Sequence, residues 1–179
     1  TFGGGLNRFK DGKFSVVNHA QGLPNGVIGH IESDGRGYLW MSSFAGILRV
    51  NEKDLNRCAD GQAARVLFLS YGINDGLPTL ECSEGLQPAG CKTTDGRLWF
   101  PTSKGLVVVD PAGAAFNPLP PPVRIEELRV DDEKFADGND AGPLKIPPGR
   151  HRIEFEYTAL SFVAPEKVRF KYRLKNFEA

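Results

Sequence analysis

"DGRGYLW", Asp34 to Trp40, returns in shortened form as "DGRLW", Asp95 to Trp99. Each is followed by a short gap and a glycine-led apolar run, "GILRV" from Gly46 and "GLVVV" from Gly105. Trp40 to Trp99 and Gly46 to Gly105 are both 59 residues, so the two copies align without a gap. A partial third copy opens the chain: "GGLNRF" from Gly4 is similar to "GILRV", and Gly5 lies 41 residues before Gly46. "GLP" precedes each full copy, at Gly22 and Gly76. A period of roughly 40 residues is the size of one four-stranded propeller blade. The second copy carries about 18 extra residues, divided between 54–65 and 80–91.

Each position of the unit has a structural task. Asp34 and Asp95 can accept hydrogen bonds from backbone N–H groups two residues on, closing a turn. Gly35 and Gly96 follow them and permit the positive φ of a tight hairpin. Trp40 and Trp99 offer large flat surfaces for packing between neighbouring sheets, and Gly46 and Gly105 lead the chain into the next strand. The competing reading is catalytic, because a carboxylate beside an aromatic ring also suits a glycan site. The aspartate-box turn of sialidase-like propellers, however, has a glycine where Arg36 and Arg97 stand here. The structural reading is preferred.

The totals exclude several classes. Lys+Arg and Asp+Glu are 22 each, which argues against a nucleic-acid or anionic-membrane partner. No apolar run approaches the ~20 residues of a membrane-spanning helix, so direct membrane insertion is not expected. The start, "TFGGGLNRF", lacks the features of a secretion signal; a piece of a longer protein is expected. Cys58, Cys82 and Cys91 match no zinc pattern. Cys82 and Cys91 could bridge in an oxidising compartment, or all three could be plain thiols. His19, His30 and His151 have no metal-ligand companion. "DGNDAG" (137–142) resembles a calcium loop but carries Ala141 and Pro148 at ligand positions. "DDEK" (131–134) reads as a charged hairpin tip. No catalytic, cofactor-binding or metal residue is assigned, and no cofactor is expected.

Glycine (21) and proline (13) are dispersed as turns between short strands require. The runs 13–17, 27–31, 38–43, 46–50, 65–70, 97–101 and 105–109 are expected as strands, and no stretch before 110 shows convincing helical periodicity. The expectation is an all-β chain, with a partial propeller of two to three blades over 1–111. "DPAGAAFNPLPPP" (110–122) holds five prolines; 112–122 reads as a stiff extended linker. Beyond it, "VRIEELRV" (123–130) and "GPLKIPPGR" (142–150) supply strand and turn material. "HRIEFEY" (151–157) and "VRFKYRL" (168–174) alternate polar and apolar residues, as half-buried strands do. Residues 123–179 are therefore expected to form an immunoglobulin-like β-sandwich, incomplete at its C-terminus, with Phe155, Tyr157, Phe170 and Tyr172 in its core.

Residues 22–50, and "DGLPT" (75–79) with 95–111, resemble the two-component regulator propeller repeat: Gly-Leu-Pro, then Asp-x-x-Gly-x-Leu-Trp, then a glycine-led strand. Residues 121–135 and 152–174 are similar to the triple-tyrosine (Y_Y_Y) domain that follows such propellers, with Tyr157 and Tyr172 at tyrosine positions and Phe170 where a tyrosine is often found. The resemblance implies the periplasmic sensor region of a bacterial inner-membrane two-component receptor, a histidine kinase often fused to a response regulator. It implies a ligand among small molecules or oligosaccharides from carbohydrate breakdown, and self-association as a receptor dimer. The chain itself is then not an enzyme. A glycosidase- or lyase-like propeller and a purely structural assembly module are the alternatives. The insertions 54–65 and 80–91 are the candidate partner surfaces, with passive extension of the blade as the preferred reading.

Overall fold

Glycine punctuation sets the architecture. Gly46 (φ +90°) and Gly105 (φ +121°) each sit where a strand hairpin requires a backbone that other residues rarely adopt. The computed structural model describes residues 3–83, 85, 88–114, 121–137, 146, 148–149, 152–161 and 167–173. The described residues are all-β with one short α-helix, and the chain divides into two units, Thr1–Ala115 and Phe116–Ala179. The division falls inside the proline-rich segment expected as a linker, of which 115–120 lie outside the described residues.

The first unit holds three antiparallel sheets. Strands β1 (Leu6–Lys10) and β2 (Lys13–Val17) form the first. Strands β3 (Ile28–Ser33), β4 (Tyr38–Ser43), β5 (Gly46–Asn51) and β6 (Phe68–Tyr71) form the second, in sequence order. Strands β7 (Cys91–Lys92), β8 (Leu98–Thr102) and β9 (Gly105–Val109) form the third. Alternation divides each strand between two apolar cores. Met41, Leu48, Val50 and Phe68 of the second sheet join Val17 and Leu23 in one core. Trp40 and Ile47, on its other face, join Leu98 and Phe100 of the third sheet. The second sheet is thus buried on both sides.

The expected absence of helix is corrected. Helix α1 (Glu52–Ala59) leaves β5, capped by the Asn51 side chain, which accepts from the Lys53 and Asp54 N–H groups. Leu55 and Cys58 are buried, and Ala59 packs against the same core. So short an apolar stripe does not stand out as a period; the Asn cap followed by Glu52 and Asp54 was the readable signal.

In the second unit, β10 (Val123–Val130) lies between β11 (Glu133–Asp137) and β12 (Ile153–Ala159). Asp131 and Asp132, at φ +53° and +69°, make the two-residue hairpin tip. Two expectations are corrected here. Residues 168–173 form no strand, and 174 lies outside the described residues. Phe155, Tyr157, Phe170 and Tyr172 are exposed rather than core; the buried pair is Leu128 and Val130. Alternation assigns a side chain to a face, but burial needs a second layer, and the described residues contain no second sheet against this one. Phe170 instead meets Tyr157 edge-on, with ring centroids 4.8 Å apart. The segment 142–150 and the calcium-like 137–142 lie almost wholly outside the described residues.

Candidate functional site

The Asp34–Trp40 turn lies between β3 and β4. One carboxylate oxygen of Asp34 accepts from the N–H groups of Arg36 (2.7 Å) and Tyr38 (3.1 Å), and the other accepts from the indole Nε1 of buried Trp40 (3.2 Å). Gly35 (φ +74°) and Gly37 (φ +93°) supply the backbone freedom. Asp34 is itself buried, so its carboxylate is engaged within its own turn.

The second copy keeps this scheme with a different residue. A shift of 59 carries Asp34 onto Thr93, not Asp95. Thr93 Oγ1 accepts from Trp99 Nε1 at 3.2 Å, and Thr93 N–H donates to Arg97 O as Asp34 N–H does to Tyr38 O. Gly96 (φ +87°) is the counterpart of Gly37. Asp95 closes a turn by accepting from Arg97 N–H (3.2 Å), as its sequence predicts, but it does not reach the tryptophan. It is exposed, accepts the Thr93 hydroxyl at 2.5 Å and pairs with Arg97. The Thr93 hydrogen bond, and then those from Arg97, hold its carboxyl down at about 2. Since this folded value lies below the ~3.9 of an unfolded aspartate, Asp95 contributes stability above pH ~4 that is lost as pH falls toward 2. Carbon-detected NMR titration should place Asp95 near 2 and move it back toward the ordinary aspartate range in Thr93→Val. A titration unchanged by that substitution would refute the pairing.

Three further repeated contacts were missed in the sequence. Ser43 and Thr102, 59 apart, each donate a side-chain hydroxyl to the carbonyl three residues on and accept the N–H two residues on. The "GLP" segments each follow a single 3-10 turn, at His19–Gln21 and Ile73–Asp75, that ends on left-handed Gly22 or Gly76 and buries Leu23 or Leu77. Arg8 and Arg49, 41 apart, each reach to the segment that follows the glycine-led strand of the next sheet, β5 and β9 respectively. Arg8 donates to Asn56 Oδ1 on α1 (2.7 Å) and pairs with Asp60. Arg49 donates to Ala114 O (3.1 Å) while stacked 3.8 Å from the Tyr38 ring centroid. The arginine was visible in "GGLNRF" and "GILRV"; what it grips was not.

Described residues of both insertions take part in the packing or pairing of the first unit. Residues 54–65 contribute Leu55 and Cys58 to the first core. Within 80–91, Cys82 bridges Thr102 and Cys91 pairs with Trp99 at the edge of the third sheet, and Gly90 lies so close to His30 that a Cβ there would stand 2.5 Å from the imidazole. Cys58, Cys82 and Cys91 are all free thiols, with Cys58 and Cys82 buried, and burial raises the Cys82 thiol above its ordinary value. His30 lies beside Glu32 at 3.4 Å. Among the described residues no three His, Cys, Asp or Glu side chains converge as metal ligands, and no helix is long and apolar enough to cross a membrane.

No family model and no curated protein matches the chain. Among solved structures it is similar to the extracellular domain of a protein described as a hybrid two-component system of B. thetaiotaomicron, at a TM-score of 0.51 and 24% identity. The likeness covers 81% of this chain and 18% of that one, and at this identity it shows the fold.

Proposed function

We propose that the chain is part of the extracytoplasmic ligand-sensing and signal-transmitting region of a two-component receptor. In this reading the three sheets of residues 1–111 are neighbouring blades of a β-propeller, and residues 123–179 belong to a triple-tyrosine-type domain on the path to the membrane. The observation that carries the reading is the fold likeness to a two-component extracellular domain over 81% of the chain. The interior chemistry supports it: Asp34, Thr93 and both tryptophans serve turns and packing, which leaves recognition to loops and to the rest of a longer protein.

The expected ligand class is small molecules or oligosaccharides released from complex carbohydrates, sensed by a receptor dimer. A ligand shifts such a receptor only through unequal affinity for its two signalling states. The proline-rich segment 112–122 is a stiffer coupling than a glycine-serine tether.

The test uses the complete reading frame and the complete extracytoplasmic region. A membrane-spanning helix and a histidine kinase are expected to be encoded beyond Ala179; a stop codon there overturns the receptor reading. Calorimetry with a panel of glycan-derived oligosaccharides should show binding without product formation. Turnover would instead establish the glycosidase- or lyase-like alternative.

A further inference from the structure

Arg8 and Arg49 stand at the same place in successive copies and grip by different chemistry. Arg8 donates to Asn56 Oδ1 at 2.7 Å and pairs with the Asp60 carboxylate, so charge meets charge. Arg49 is only 7% exposed, and among the described residues no carboxylate pairs with it. Its guanidinium lies 3.8 Å from the Tyr38 ring centroid and 5.2 Å from that of Trp40, and its Nη1 donates to the neutral carbonyl of Ala114. Its Nε is buried without an acceptor.

This arrangement is finely balanced. Arginine cannot shed its charge, so the closed contact holds a desolvated cation met by ring faces and one carbonyl. A charge-assisted hydrogen bond gains about what an unmet buried donor costs. A contact of that kind can open while the sheets around it stay folded.

What Arg49 holds is a small unit of its own. Beyond the β8–β9 ladder, which ends at Val109, Asp110–Ala114 forms a separate turn. Asp110 Oδ1 accepts from Ala112 N–H at 2.8 Å, and Asp110 O accepts from Ala114 N–H at 3.2 Å. Ala114 packs against the Trp40–Phe100 core, while Ala112 and Gly113 are exposed. Among the described residues, the hydrogen bond joining this turn to the second sheet is the one from Arg49. We propose that Asp110–Ala114 is a two-state strap and Arg49 its latch. Closed, the strap fixes where the proline-rich segment leaves the first unit; open, it frees that segment without disturbing β4 or β5. That the opening carries a signal rests on the receptor reading; the latch itself does not.

Amide hydrogen exchange of the full chain, read residue by residue by NMR, provides the test. In the wild type, Ala114 N–H should exchange through an opening of its own, roughly tenfold or more faster than the best protected amides of β4 and β5. Arg49→Met keeps the side chain's bulk and removes the donor and the charge. It should speed Ala114 exchange about 10- to 100-fold, the factor of one charge-assisted hydrogen bond. The β4 and β5 amides should hold or gain protection, since a buried charge is gone. Arg49→Lys, a compact point charge without the planar fork, should release the strap as Met does and lower β4 and β5 protection. Ala114 exchanging together with the β4 and β5 amides in the wild type would overturn the proposal. So would a Met variant that fails to fold, that leaves Ala114 unchanged, or that loosens strap and strands by the same factor, and so would a Lys variant that keeps the strap protected. Those outcomes leave the receptor reading standing, and a stop codon after Ala179 leaves the latch standing.

Discussion

Trp40→Ala is expected to destabilise the first unit by about 3–5 kcal/mol, while Trp99→Ala costs about 1–2 kcal/mol. The two tryptophans occupy equivalent places in the repeat, and each donates its indole N–H to a turn residue six positions earlier at 3.2 Å. What separates them is what lies on top. Trp40 is wholly buried and stacks on Tyr71 with centroids 5.3 Å apart. Its removal opens a cavity between two sheets held by Leu77, Leu98 and Phe100 on the far side, and it leaves one oxygen of buried Asp34 without its partner. Trp99 is only half-buried, and among the described residues no sheet lies against its outer side, so its loss enlarges an open surface rather than an enclosed void. Against a typical total of ~5–15 kcal/mol, the first substitution removes a large fraction of the stability and the second a small one. Urea unfolding followed by far-UV circular dichroism distinguishes them. Equal losses at the two positions would show that the end sheet is as fully covered as the central one.

The same asymmetry explains what could be read from residues alone. Strands 13–17, 38–43, 105–109 and 123–130 fall where the apolar runs and flanking glycines place them, because strand position depends on local pattern and turn chemistry. The role of Asp34 was legible for the same reason, since its partners lie within six residues. Thr93 was not, because "DGRLW" aligns by eye on its aspartate while the fold aligns on the tryptophan. Coverage is a non-local property and left no mark. Phe14 and Phe68 are the same residue in the same repeat position, yet one is bare and the other buried. Phe155 and Leu128 are direct cross-strand partners, and only Leu128 is buried. Alternation predicted the face correctly and could not say whether anything lies against it.

Gly46→Ala is expected to cost several kcal/mol, the sum of two separate effects, whereas Gly105→Ala incurs only one. Both glycines hold positive φ, +90° and +121°, where a residue with a Cβ is strained by about 1–3 kcal/mol. At Gly46 a Cβ would also overlap the Tyr71 carbonyl oxygen. The Gly46 N–H donates to Leu80 O at 2.9 Å, tying the second sheet to the segment entering the third, just as Gly5 N–H donates to Gly26 O at 3.0 Å one copy earlier. Relieving the overlap means moving β5 off β6 or breaking that tie. Overpacking of this kind adds about 1–3 kcal/mol. At Gly105 a Cβ meets nothing within 4 Å, so only the backbone term remains. The difference between the two variants in urea unfolding therefore isolates the steric cost of the close approach of β6 to the head of β5. A Gly105 variant as damaged as the Gly46 variant would mean that backbone strain alone keeps glycine at the head of this strand, and that the close approach of β6 contributes nothing.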